Sequence, residues 1–192
     1  RTFWARWESS EIGAAGRDNR SIWNKFATEA LTGLNGWESL MVRVMAVGVF
    51  DLLHAGHLHY VEQAKSLGDE LVVVVAHDDT VRKQKHEPVT NQDLRQRMVE
   101  GLKPVDKAII GNPPTVPIFD ILDVVKPDVI ALGYDQKHSR DSIKAGLDSN
   151  GWGHVDVVRV EGLADDLDGT RKIIARIIDL WSGETGGPYE ED

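Results

Sequence analysis

From Val42 onward the chain alternates short runs rich in β-branched residues with longer stretches whose apolar positions recur at helical spacing. The runs predict strands at Val42 to Phe50, Leu71 to Ala76, Lys107 to Ile110, Val129 to Leu132 and Val155 to Val160. The second is apolar at every position, as a strand must be when helices cover both faces of a parallel sheet; a strand with one wet face would alternate. Between the runs, helices are expected at about Gly56 to Leu67, Asn91 to Leu102, Ile118 to Val125, Ser139 to Asn150 and Thr170 to Trp181. Gly68 stands where a C′ glycine belongs, and Thr90 with Asp93 has the spacing of a capping box. The alternation predicts an α/β fold, a doubly wound, Rossmann-like parallel sheet of five strands whose ligands bind beyond the carboxyl ends of the strands.

The first forty residues carry neither period, yet hold four of the six tryptophans (Trp4, Trp7, Trp23, Trp37). Met41 and Met45 stand at the first strand, so residues 1–40 are expected to be an atypical extension, non-native or disordered, with a docking or oligomerisation arm as the alternative. Residues 41–181 then form the folded domain, and 182–192 a flexible acidic tail.

Composition narrows the partners. With 192 residues, 41% hydrophobic and 28% charged, the chain suits one globular domain, and no apolar run approaches the roughly 18 residues of a membrane-spanning helix. A net charge of −9 argues against broad nucleic-acid binding, so a phosphate-bearing ligand must find a local cationic pocket. The absence of cysteine excludes thiolate metal sites and thiol nucleophiles. No secretory segment is visible, and the expected location is the cytoplasm.

Directly after the first strand comes Gly48-Val49-Phe50-Asp51-Leu52-Leu53-His54-Ala55-Gly56-His57. Two histidines three apart at a helix start share one face, above exposed backbone N–H groups and the positive end of the helix dipole, so both can grip one anion. Gly56 lets the backbone approach a phosphate. The alternatives are capping or core histidines, or a metal cluster of His54, His57 and His59; no carboxylate stands at helical spacing to complete such a cluster, and no metal ligands are assigned.

This string, continued through Ala64-Lys65-Ser66-Leu67-Gly68-Asp69-Glu70-Leu71, Asp79-Thr80-Val81-Arg82-Lys83, Leu102-Lys103-Pro104-Val105-Asp106-Lys107 and Lys126-Pro127-Asp128 through Gly133-Tyr134-Asp135-Gln136, resembles the His-x-Gly-His nucleotidyltransferases. Within them it is most similar to the cytidylyltransferase-like branch and its archaeal FAD synthase family. The resemblance implies a nucleotidyltransferase fold and transfer of AMP from ATP to FMN, giving FAD and pyrophosphate. It also implies Mg²⁺ accompanying the ATP, small-molecule substrates without nucleic acid or membrane, and a homodimer. Alternatives are a cytidylyltransferase using CTP and a phosphorylated alcohol such as glycerol 3-phosphate, and a nucleotide sensor without turnover.

A phosphate nucleophile is already ionised, so the protein needs only to align two anions and neutralise growing charge. The resemblance assigns His54, His57 and Lys83 to catalysis, with Lys85 beside Lys83 in a cationic lid, Arg82 to His86, that otherwise reads as a solvated loop. It places Val49, Phe50, Gly56, Arg95, Gly133, Asp135 and Thr170 at the nucleotide. Arg97, on another helix face, is expected to be exposed or ion-paired. Gly133 would let a purine or ribose pack closely, and Asp135 serves either as a ligand contact or as a turn cap. Asp51 is within reach of Mg²⁺. The family usually has serines and threonines where this chain has Asp168 and Gly169, which leaves Thr170 as the phosphate contact.

Overall fold

A computed structural model describes residues 41–84 and 86–182. The expectations for the extension, for Lys85 and for the tail beyond Ser182 fall outside them.

The elements run β1 (Arg43–Gly48), α1 (Ala55–Lys65), β2 (Glu70–Val75), α2 (Asp78–Gln84), α3 (Gln92–Glu100), β3 (Lys107–Ile110), α4 (Ile121–Val125), β4 (Val129–Leu132), α5 (Arg140–Ser149), β5 (Asp156–Arg159) and α6 (Thr170–Ser182). All four strand pairings are parallel, in the order β3-β2-β1-β4-β5. This is the expected doubly wound five-stranded sheet. Because successive strand residues face opposite ways, Val44, Ala46, Leu71, Val73, Val75, Val129 and Ala131 pack with Val61 and Ala64 of α1 and Val99 of α3 on one side. Met45, Val72, Val74, Ile130 and Leu132 pack with Ile121, Leu122 and Val125 of α4 and Leu147 of α5 on the other.

At the amino edge of the sheet, each of three aspartates just before or between strands satisfies a neighbour's backbone. Asp69 accepts the Val42 N–H at 2.9 Å, Asp128 the Arg43 N–H at 2.8 Å and Asp106 the Leu71 N–H at 2.6 Å. Their motifs therefore build the sheet edge opposite the expected site.

Several local expectations change. Gly68 is not a left-handed C′ residue; α1 is capped by Ser66, and a Cβ on Gly68 would lie 2.5 Å from the Val42 carbonyl oxygen. The α3 N-cap is Asn91, whose Oδ1 accepts from Leu94 N–H at 3.0 Å, while Thr90 turns to Asp51. The stretch expected to be a lid loop begins as helix α2, and Ile118–Asp120 forms a 3₁₀ turn before α4.

Candidate functional site

Strand order reverses between β1 and β4, where a doubly wound sheet opens a crevice at its carboxyl edge. The loop from β1 into α1 crosses this edge with two non-glycine residues in the left-handed region, Phe50 at φ 56° and Leu52 at φ 50°. Such a conformation costs of the order of 1–3 kcal/mol per residue and survives only when neighbours over-determine it. Three clamps do so here. Arg95, fully buried on α3, donates to Val49 O (2.5 Å), Ala76 O (2.9 Å) and Thr90 O (3.0 Å) and pairs with Asp78 at 2.5 Å. The Asp51 carboxylate accepts from Val89 N–H (2.7 Å), Thr90 N–H (3.0 Å) and Thr90 Oγ1 (2.6 Å). Thr170 Oγ1, at the start of α6, donates to Asp51 O at 3.1 Å. Burial opposes ionisation of Asp51, but the Thr90 and Val89 donors and the Arg95 charge bring its carboxyl below the ordinary value.

His54 is the N-cap of α1, and its Nδ1 accepts the His57 backbone N–H at 3.3 Å. The two rings stack with centroids 3.8 Å apart at 24°, and the buried Phe50 ring lies 5.2 Å from His57. No acidic residue occupies the first turn of α1, which leaves the positive dipole end uncompensated. Burial lowers the His54 pKa against the opposing fields of Asp168 and Asp135. Asp168 itself accepts from Tyr134 Oη at 3.1 Å and pairs with Lys172 at 2.7 Å. The Lys172 contact is the main cause holding Asp168 below the ordinary carboxyl value.

The expected residues thus gather unequally. His54, His57 and Thr170 stand at the crevice, with Gly133 and Asp135 on the loop after β4. Gly133 is buried, and a Cβ there would meet only ordinary contacts, the nearest 3.5 Å away at Asp135 Oδ1. At Gly56 a Cβ would lie 2.0 Å from Asp168 O, so this glycine lets the segment before α6 close on α1. The Phe50 ring is wholly buried, leaving its backbone for any ligand contact, and the Val49 carbonyl is taken by Arg95. Arg95 itself is enclosed among carbonyls and Asp78 rather than lying open to a nucleotide; it fixes the loop from beneath. Arg97 is exposed, as expected.

Lys83 is exposed on the last turn of α2, whereas Arg82 beside it is spent on Glu87 (2.9 and 3.0 Å) and Asp79 (2.8 Å). Asp51, expected within reach of Mg²⁺, is committed to the Val89–Thr90 backbone. No cluster of three or more His, Asp or Glu side chains arranged around a metal occurs among the described residues, nor is any described helix long and apolar enough to cross a membrane.

Sequence reasoning passed over Tyr60, Lys172 and Arg159. Lys172 stands four residues after Asp168, a spacing that signals a helical ion pair. Tyr60 follows His57 by three on the same face of α1. Arg159 left no signal, because its partners are backbone carbonyls.

The cytidylyltransferase-like family matches residues 45–158. The chain is 51% identical over 140 residues to the FAD synthase of Aciduliprofundum boonei, covering 72% of this chain and 92% of that protein. It is 45% identical over 146 residues to the FAD synthase of Thermococcus onnurineus, covering 75% and 96%. A solved structure from Thermoplasma volcanium, described as a lipopolysaccharide core biosynthesis protein, superposes with a TM-score of 0.61 at 43% identity, covering 64% of this chain and 98% of that one.

Proposed function

Because the chain belongs to the cytidylyltransferase-like family, and matches 92% and 96% of the length of FAD synthases to which it is 51% and 45% identical, we infer that it is an FMN adenylyltransferase. It transfers AMP from ATP to FMN and releases pyrophosphate. A phosphate oxygen of FMN bonds to the α-phosphorus as the bond from that phosphorus to the bridging oxygen breaks, and the electron pair leaves with pyrophosphate. The observation that carries this reading is the stacked His54–His57 pair on the open N-terminus of α1, beside the strand-order reversal.

No side chain has to remove a proton, so the residues act by position and charge. With its Nδ1 accepting from the backbone, a neutral His54 carries its proton on Nε2 and donates it to a triphosphate oxygen. His57 serves from the next turn of the same face. The backbone at the N-terminus of α6, opened by Thr170, approaches the phosphates while the Thr170 hydroxyl stays on Asp51 O, with Gly133 and Asp135 beside the nucleoside. Lys83, exposed and without a partner among the described residues, supplies the mobile positive charge for pyrophosphate departure. Mg²⁺ accompanying the ATP would supply charge neutralisation on the triphosphate; Asp51, committed to Val89 and Thr90, is not available to hold it, and no other described side chain is assigned to it. We place the protein in the cytoplasm and infer a homodimer; light scattering of the purified chain tests the dimer, and a monomer mass overturns it.

The deciding assay offers ATP or CTP, each with FMN or with glycerol 3-phosphate, and measures pyrophosphate. Release is expected from ATP with FMN. Release from CTP alone overturns the reading, and tight ATP binding without turnover on either acceptor identifies a sensor instead. In the same assay His57→Ala is expected to remain folded while turnover falls roughly a hundredfold; undiminished turnover removes His57 from the mechanism.

A further inference from the structure

The loop between β4 and α5 is organised by one side chain that reaches it from the next strand. The guanidinium of Arg159, at the carboxyl end of β5, donates to the carbonyls of Gly133 (2.5 Å), Gln136 (3.2 Å) and Tyr134 (3.3 Å), and also to that of His138. It pairs with no carboxylate among the described residues, and both terminal nitrogens of its planar fork are spent on this loop.

Gathering the carbonyls has a consequence for the amides. The described peptides are all trans, and across a trans peptide N–H points opposite to C=O. The N–H groups of Tyr134, Asp135 and Lys137 each follow a carbonyl drawn to Arg159, so they face the other way. Among the described residues none of the three donates a hydrogen bond. The Gln136 N–H closes the turn onto Gly133 O at 3.3 Å, and the Gln136 side-chain amide ties the loop to Val47 O on β1 at 2.7 Å. The loop therefore stands at the β1/β4 crevice with its carbonyls held behind it and three amide donors unused.

We propose that Arg159 is a positioning residue for the nucleotide: it holds the Gly133–His138 loop so that backbone amides of Tyr134, Asp135 and Lys137 meet acceptor atoms of the base and ribose. This rests on the crevice being the ATP site. Arg159 touches no substrate, and its effect falls on ATP recognition rather than on the chemical step.

The test uses the full chain with Arg159→Gln and Arg159→Lys, comparing KM for ATP, KM for FMN, kcat, calorimetric ATP affinity and thermal unfolding. Arg159→Gln is expected to raise the ATP KM roughly tenfold while the FMN KM stays within about twofold and kcat within about threefold. Arg159→Lys, which keeps a charge without the fork, should fall between. Should Arg159→Gln fail to fold, Arg159→Lys decides alone. A lowered melting temperature with unaltered ATP KM and affinity overturns the proposal, since that is what a merely structural clamp would give. If wild-type protein makes no FAD, the reaction reading fails, and calorimetry still decides: equal ATP affinity in wild type and both variants removes Arg159 from recognition.

Discussion

The two histidines differ in what the backbone asks of them. His54 caps α1, and its Nδ1 accepts the His57 N–H only while unprotonated, so the fold favours the neutral ring with hydrogen on Nε2. Burial points the same way, lowering the His54 pKa from 6.5 despite Asp168 and Asp135. A protonated His54 would also face a second imidazole 3.8 Å away. The neutral donor is therefore available throughout the physiological range. In stability terms the folded state binds this proton less readily than the unfolded one, so the His54 contribution is fully present above pH 6.5 and is lost as pH falls through the lowered folded value. Nitrogen NMR of the free protein should find His54 as the Nε2–H tautomer, titrating below 6.5. An Nδ1–H tautomer, or a midpoint at or above that value, contradicts the assignment.

At the level of elements, α1 meets the segment leading into α6 with no room for a side chain at Gly56. Gly56 opens α1 against the carbonyl of Asp168, and the added carbon of Gly56→Ala would meet backbone 2.0 Å away rather than a flexible side-chain tip. Either α1 or the Asp168 segment must withdraw, and overpacking of this kind costs about 1–3 kcal/mol. The expected result is a lower denaturation midpoint together with a sharp loss of pyrophosphate release, because His54, Thr170 and Asp168 part company. Unchanged values for both would show that the contact is not needed. The strands and most helices were legible because doubly buried β-branched runs and helical periods record tertiary burial directly. Helix α2 was not, since Asp78–Gln84 has a single buried apolar residue, Val81, and no period to read. The site shows the same division. His54 and His57 announce themselves by spacing and position. The task of Arg95 and the existence of the Arg159 clamp do not, because guanidinium–carbonyl bonds leave no mark on the partner's residue type. Asp69, Asp106 and Asp128 are visible as motif positions, yet only the strand N–H groups they receive reveal that they serve the sheet.

Across the whole molecule, the crevice exists because the ladder between β1 and β4 is cut short. β1 stays in register with β2 as far as Gly48↔Val75, whereas its pairing with β4 ends at Ala46↔Ala131. Beyond that point side chains replace the missing rungs. The Tyr60 hydroxyl accepts the Val47 N–H at 3.2 Å and donates to Ala131 O at 2.8 Å, and Gln136 donates to Val47 O at 2.7 Å. Burial pushes the Tyr60 phenol well above its ordinary range, so it stays a neutral donor. Tyr60 lies one turn after His57 on α1, and Phe50 packs against both rings, so the ring whose hydroxyl bridges β1 and β4 shares a cluster with His57. Tyr60→Phe removes one hydroxyl and leaves the Val47 N–H and the Ala131 carbonyl without it. The expected cost is about 1–2 kcal/mol in urea unfolding at unchanged m, accompanied by a higher KM for ATP as the crevice loses its fixed width. A stability loss with the ATP KM unmoved would confine Tyr60 to the sheet, whereas a shift in both ties the opening at the switch point to nucleotide binding.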